Sequence, residues 1–160
     1  MRTALALDGV DIVMHRTDHP DGEARVRTTR GELRFRPGGD LTDLRGERWS
    51  VEGDLAALQL ETTGDVVRSA VYPDALGRIW AALRCRQSAQ LLLSAAPGYE
   101  FTDWGGGYHV GGGSHGSLHV NDSHGVLLWA GGDLPAADSR TQWSLRDIAP
   151  MALSHFGVTA

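Results

Sequence analysis

Histidine side chains are concentrated in one part of this chain, and they fall beside two aspartates. The cluster holds four of the seven histidines: His109, His115, His119 and His124, with Asp103 and Asp122. Imidazole nitrogen and carboxylate oxygen are ligands that Zn²⁺ takes in catalytic sites, where one position stays open for water or substrate. The segment therefore predicts a divalent-metal chemistry, with incidental surface histidines on a loop as the plainer alternative.

His115 differs from the other histidines in its neighbours. Glycines at 111–113 and Gly116 flank it, and glycine backbone reaches positive φ and leaves room for an ion and a bound anion. The apolar run 126–130 follows, and ligands bind where loops meet strand ends in open α/β sheets. We therefore predict that His115 is a metal ligand, and that His119 either shares the ion or hydrogen-bonds the loop.

The elements after residue 70 follow the pattern of an α/β fold, in which apolar runs alternate with amphipathic helices. Four elements are predicted: a helix from Pro73 through Arg84, buried strands over 90–95 and 126–130, and a helix over 144–156 capped by Ser144 and closed by Gly157. The first strand is expected to be covered on both faces because its apolar residues do not alternate with polar ones.

The elements before residue 70 are shorter and more polar. Residues 3–7 predict the tail of a helix and residues 10–14 a buried strand. Between residues 15 and 70 we expect a small mixed β excursion beside a main sheet, with three recognisable parts: a hairpin around Arg30-Gly31, a strand near 48–51 and a helical turn at 54–58. A chain that opens with so little helix before a buried strand suggests a truncated domain.

Composition excludes some classes of function. The apolar fraction is 41%, the charged fraction 22% and the formal charge −5, as in an ordinary globular protein. That charge argues against a nucleic-acid partner, because binding phosphate backbones needs a basic surface. All 15 basic residues are arginine, which suggests coding bias. Without a signal peptide or a membrane-length apolar run, the sequence predicts a soluble, cytoplasmic protein. It does not indicate an oligomeric state.

Other chemistries find little support. Cys85 is the single cysteine, so it cannot form an intrachain disulfide, and we interpret it as a small buried apolar residue. The sequence has no lysine and therefore no Walker loop. Its glycine-rich run at 111–116 leads to a predicted strand, whereas a nucleophile elbow or a dinucleotide-binding loop leads from a strand into a helix. Ser114 and Ser117 neighbour His115, but a triad also needs an orienting acid that the sequence does not place.

The C-terminal half contains, in order, Gly113-Ser-His-Gly-Ser117, Asp122, the run Val126-Leu-Leu-Trp-Ala-Gly131, Leu145-Arg-Asp-Ile-Ala-Pro150 and Leu153…Phe156-Gly-Val158. This succession resembles the closing stretch of the alkaline phosphatase / nucleotide phosphodiesterase superfamily. Two positions depart from the family pattern: Met151 stands in place of threonine, and Leu118-His119 stand in place of proline and tyrosine. A looser likeness covers residues 9–33.

The resemblance implies a fold class and a site. The fold would be α/β, the C-terminal part of an alkaline-phosphatase-like sheet flanked by helices, with a β-rich insertion at about 15–70. Residues 1–160 would form a single partial domain, whose part 73–160 carries the metal-ligand loop. His115 would bind one of two divalent metals, presumed zinc, with these loop or supporting residues: His109, Ser114, Gly116, Ser117, His119 and Asp122.

The resemblance also implies what the chain lacks. The nucleophile and the remaining metal ligands of the family would lie before Met1, so we expect a segment of a phosphate-ester hydrolase with little turnover by itself. Asp18-His19 has the look of the family's Asp-His metal motif, but Pro20 follows where the family has glycine, and a polar turn explains it. Two alternatives stay open: a non-enzymatic soluble module that binds a metal, small anion or protein partner through its Gly/His-rich loop, and a packing domain with incidental histidines.

Overall fold

The computed structural model describes residues 2–17, 22–102, 116–130 and 142–158 of the chain. It has mixed α/β character and divides into two compact units, residues 1–124 and residues 125–160. Asp18-His19, His109, Ser114 and His115, on which several predictions fall, lie outside the described residues.

A seven-stranded sheet dominates the first unit. Its strands are β1 (Val10–Arg16), β2 (Ala24–Thr28), β3 (Gly31–Asp43), β4 (Arg48–Gly53), β5 (Glu61–Thr63), β6 (Val66–Arg68) and β7 (Leu91–Ala95). The order is β5-β6-β3-β2-β1-β7, with β4 also paired to β3. The pairing of β3 with β6 is parallel, and the other described pairings are antiparallel.

The described helical segments lie before, between and after these strands in the chain. They are α1 (Arg2–Leu5), a 3-10 turn (Leu55–Leu58), α2 (Ala75–Arg84), α3 (Val120–Ser123), a second 3-10 turn (Leu145–Asp147) and α4 (Ile148–His155). The helical turn predicted at 54–58 and the helix predicted to end at Arg84 are confirmed. None of the described helices has the length and apolar character needed to cross a membrane.

The hairpin predicted around Arg30-Gly31 is confirmed. Strands β2 and β3 pair antiparallel, with Thr28 opposite Gly31 and Val26 opposite Leu33. Alternation decides which side chains are buried: Val26 and Leu33 are fully buried. This period-two pattern is what a half-covered antiparallel sheet requires.

We expected residues 15–70 to form an excursion beside a main sheet, and this prediction is wrong. Its strands β2 to β6 form one continuous sheet with β1 and β7. The continuous sheet was not predicted because β1 pairs with β2 on one side and with β7, which is distant in sequence, on the other. Which strands become neighbours depends on such long-range pairing, which local patterns do not encode.

Strand β3 is unusually long and bends where two glycines interrupt it. Its register with β4 shifts between Pro37 and Leu41. Gly39 has φ +149°, and a Cβ there would meet the backbone nitrogen of Ser50 at 2.5 Å. Because the obstacle is backbone, Gly39 must be glycine for β4 to approach this closely.

The core lies between the sheet and α2. Ile79 of α2, Phe35 of β3 and Leu58 of the 3-10 turn are at most 1% exposed. Trp49 stands edge-on to Phe35, with ring centroids 5.7 Å apart, and to Trp80 at 6.2 Å. Edge-to-face aromatic pairs of this kind are favourable beyond the area that they bury.

Strand β7 is present as predicted, but it is not covered on both faces. Leu91 and Leu93 are 39% and 38% exposed, whereas Ser94 is buried. Exposed Leu91 and Leu93 alternate with half-buried Leu92 and buried Ser94, so one face of the strand is covered and the other is exposed. Cys85, expected to be buried, is exposed just past the end of α2.

The second unit differs from its prediction at the run 126–130. No strand forms there, and Val126 and Leu128 are 86% and 87% exposed. A strand needs neighbouring backbone for its hydrogen bonds, and the described part of this unit contains no other strand.

The residues predicted to cap the last helix, Ser144 and Gly157, are confirmed. The Ser144 hydroxyl accepts from the Arg146 amide, and Asp147 Oδ2 accepts from the Ser144 amide at 2.8 Å, which completes a capping box. Gly157 has φ +69° and ends the helix. The apolar stripe of this helix is nevertheless open: Leu145 is 86% and Phe156 77% exposed, while Met151 is buried.

Candidate functional site: the segment that follows His115

The structure describes four of the predicted site residues: Gly116, Ser117, His119 and Asp122. They belong to the first compact unit and lead from the Gly-rich loop into α3. Gly116 has φ +111°, a conformation that favours glycine and that the flanking glycines predicted for this loop.

The backbone of Ser117 and Leu118 is held from two sides. The guanidinium of Arg78, on α2, donates to the carbonyl oxygen of Ser117 at 3.2 Å and to that of Leu118 at 3.1 Å. On the other side, the Leu118 amide donates to the hydroxyl of Ser94 in β7 at 3.0 Å. Ser94 and Leu118 are buried, so these bonds satisfy groups that water cannot reach.

Arg78 is well suited to this position. It also donates to the carbonyl oxygen of Pro73 at 3.1 Å, so a single planar group joins the start of α2 to the segment after Gly116. Burial lowers the pKa of Arg78 from its ordinary value, and the nearby Asp74 carboxylate opposes that shift. The side chain stays charged, because arginine has an intrinsically high pKa.

His119 performs a structural task at the start of α3. Its Nδ1 accepts from the amide of Asn121 at 3.2 Å, and its own amide donates to the Ser117 hydroxyl at 3.1 Å. The ring stands edge-on to Tyr72 at 6.1 Å. Of the two possibilities that the sequence left open for His119, the described contacts are those of a residue that hydrogen-bonds the loop.

Ser123 closes the same segment. Its hydroxyl donates to the carbonyl oxygen of His119 at 2.8 Å and lies 3.2 Å from that of Leu118. The amide of Asp122 donates to His119 at 3.0 Å, while the Asp122 side chain is exposed. These hydrogen bonds fix residues 116–123, the segment that begins one residue after His115. We call this segment the platform.

The described residues do not form a metal site by themselves. Within the described ranges no three His, Cys, Asp or Glu side chains come close enough to hold an ion. His124 is exposed, and His155 contacts Phe156 with ring centroids 5.1 Å apart.

The Ser117 hydroxyl is not arranged as a nucleophile. It accepts from a backbone amide, and no described histidine ring nitrogen bonds to it. Activation of serine needs a base within hydrogen-bond reach. The described contacts thus give Ser117 a structural role.

The sequence did not point to Arg78 or Ser94. Both residues hydrogen-bond to Leu118 directly, but they are 40 and 24 residues away from it along the chain. One weak signal exists: Arg78 interrupts an apolar helix face three residues after buried Ala75. A charged residue beside an apolar stripe often reaches backbone carbonyls of another segment.

Replacing Arg78 with methionine should lower the free energy of unfolding by about 2 kcal/mol, because buried carbonyls lose their charged donor. Urea unfolding monitored by tryptophan fluorescence measures this change, and Arg86→Met, at an exposed position, should shift stability by no more than about 0.5 kcal/mol. Amide exchange of Leu118 and Val120 should accelerate more in the Arg78 variant than exchange in β2. An unchanged exchange rate at those two amides would contradict the anchoring role.

Comparison with known proteins identifies no family. No protein-family model matches the chain, and neither does any curated protein or solved structure at a significant level.

Proposed function

We propose that the chain is the C-terminal segment of a metal-dependent phosphoryl-transfer hydrolase of the phosphatase or phosphodiesterase type. Its substrate would be a phosphate ester, and its fold the closing part of an alkaline-phosphatase-like sheet. His115 would bind one of two divalent metals, presumed zinc. By itself the chain would turn over little, because it lacks a recognisable nucleophile and most metal ligands.

One observation carries the proposal: the Ser-His-Gly-Ser motif joins directly to an anchored platform. Arg78 and Ser94 hold Ser117 and Leu118 from a helix and a strand. A metal ligand has to present its lone pair from a backbone that holds its position, and hydrogen bonds that fix the neighbouring backbone serve that purpose. The platform begins immediately after His115 in the chain, and this supports the ligand role that we propose for that histidine.

The exposure of two apolar stretches supports the partial character of the domain. Val126 and Leu128 lie in the run that resembles a core strand of the family, and Leu145 and Phe156 in the run that resembles its edge helix. All four are at least 77% exposed. Contiguous exposed apolar residues usually mark a surface that another polypeptide covers. In the proposed enzyme, that cover is the part of the sheet that carries the nucleophile.

The metal pair would polarise the phosphate ester and neutralise charge on the transferring group. The chain's own contribution would be the imidazole nitrogen of His115, with Asp122 and His109 as candidates to orient the ring by hydrogen bonding. Gly116 and the neighbouring glycines would leave room for the anion beside the backbone.

The test compares two forms of the protein: the 160-residue chain, and the same chain lengthened by the residues encoded upstream of Met1. Bound metal is measured by plasma mass spectrometry, and hydrolysis of bis-p-nitrophenyl phosphate by absorbance, with and without a chelator. We expect metal-dependent turnover in the lengthened form alone. Tight stoichiometric metal in the short chain without turnover in either form would instead favour the non-enzymatic binding module. Absence of metal and turnover in both would contradict the proposal.

A further inference from the structure

Strand β4 forms one edge of the sheet in the first compact unit. Among the described strands it pairs with β3 alone. The free side of an edge strand carries a row of backbone N–H and C=O groups, and such a row can pair with a strand of another chain. The strand and the turns on both sides of it lie within residues 22–102, which the structure describes without a gap.

This edge strand is regular. The extra residues at the register shift between Pro37 and Leu41 lie in β3, whereas β4 runs without interruption from Arg48 to Gly53. Its side chains alternate between the two faces of the sheet: Trp49 is buried in the core, and Arg48 is exposed on the opposite face. An uninterrupted strand with a clear alternation has the geometry that pairing with a further strand requires.

The charges of β4 are complementary to those of a second copy of the same strand. Arg48 and Glu52 are equally distant from Ser50 in the sequence. If two β4 strands pair antiparallel with Ser50 on the twofold axis, Arg48 of each copy lies opposite Glu52 of the other. The same register places Trp49 opposite Val51, so the core faces of both sheets stay on one side, and a slip of one residue would lose this match.

Both charged side chains have weak partners within the chain. Arg48 lies 3.5 Å from Asp40, and both of these side chains are exposed. Glu52 pairs with Arg34, also between exposed side chains. Exposed ion pairs contribute little to stability because solvent screens them. An opposite charge on a facing strand can therefore attract Arg48 and Glu52 without the loss of a strong internal contact.

We propose that two copies of this chain associate through their β4 strands, antiparallel about Ser50, so that their sheets join into one. The contact is small, because one pair of six-residue strands makes up its centre. Interfaces of this size are usually transient, and we expect a dissociation constant on the order of 100 µM. The association does not depend on the proposed function, because no residue of the platform takes part in it.

Association of the 160-residue chain is measured by sedimentation velocity between about 5 and 500 µM, a range that brackets the expected constant. Arg48→Glu and Glu52→Arg each place like charges opposite one another twice, and each should weaken the dimer about tenfold or more. An equimolar mixture of the two variants should associate about as tightly as the parent, because every charge then faces its opposite. A monomeric parent over this range, or a parent dimer that neither variant weakens, would overturn the proposal.

The control makes the same change of charge on other strands. Arg68 and Glu61 form an exposed ion pair between β6 and β5, and Arg68→Glu should leave the dissociation constant within about twofold. Circular dichroism shows whether the variants fold like the parent. Folded Arg48→Glu and Glu52→Arg chains that do not associate when mixed would overturn the proposal, as would an equal loss of association in Arg68→Glu.

A crosslink tests the register. In a chain that carries Cys85→Ser, the change Ser50→Cys places two thiols across the twofold axis, and oxidation by copper phenanthroline should join them into a disulfide-linked dimer. Thr62→Cys, in β5, should remain monomeric under the same conditions. Equal crosslinking at the two positions, or none at position 50, would overturn the pairing about Ser50.

Discussion

Replacing Arg30 with methionine should lower the free energy of unfolding by about 3 kcal/mol, the cost of removing one partner of a largely buried ion pair. Arg30 lies in the β2–β3 turn and donates to Asp11 Oδ1 of β1 at 3.0 Å. The Asp11 side chain is 11% exposed and that of Arg30 is 30% exposed. In the variant the Asp11 carboxylate would remain buried without its cation.

The expected effect is large because Arg30 joins four separate segments. Its second amino group donates to the Tyr72 hydroxyl at 2.8 Å and to the Ala57 carbonyl oxygen at 3.3 Å. The Tyr72 hydroxyl in turn donates to Asp11 Oδ2 at 2.6 Å. Burial and the bond to Asp11 raise the pKa of Tyr72 to about 12. The neutral phenol therefore acts as a donor in this network at any ordinary pH.

An exposed pair supplies the matched control. Arg34 and Glu52 form an ion pair across β3 and β4, with side chains 48% and 59% exposed. Arg34→Met should cost at most about 1 kcal/mol, because solvent screens the charges. Urea unfolding of both variants measures the difference, and an Arg30→Met loss no greater than that of Arg34→Met would contradict the network's role.

The elements that local chemistry specifies could be predicted from the sequence. The hairpin was predicted from alternation around Arg30-Gly31, and the caps of the last helix from Ser144 and Gly157, whose side chain and backbone conformation cap its two ends. In both cases the deciding interactions join residues that are close in sequence.

The elements that depend on distant partners could not be predicted. The runs at 90–95 and 126–130 are both rich in leucine and were both predicted to be strands, yet only the first forms one, because it pairs with β1. An apolar run predicts that its side chains are buried, but it does not identify the strand or helix that packs against them. The exposed Val126 and Leu128 are the consequence.

For the candidate site, too, the features set by neighbouring residues were predicted and those set by distant residues were not. The glycines predicted a loop around His115, and Gly116, the first described residue after it, has a positive φ, which favours glycine. The Arg78 and Ser94 anchors were not predicted because each joins residues far apart in the sequence. The role of His115 itself stays a prediction.

Replacing His115 with alanine in the lengthened chain should lower turnover of bis-p-nitrophenyl phosphate about 1,000-fold. A reduction of this size corresponds to about 4 kcal/mol of transition-state stabilisation, which is within what a bound metal contributes. His124→Ala is the matched control, since His124 is exposed just after α3, and it should leave turnover within about twofold. Circular dichroism of both variants shows whether they fold like the parent.

The most direct measurement of the central claim is the number of zinc ions bound per lengthened chain, by plasma mass spectrometry, in the parent and in these two variants. We expect two ions in the parent and in His124→Ala, and one or none in His115→Ala. Two ions retained with full turnover after loss of the His115 imidazole would contradict the assignment of this histidine to a metal.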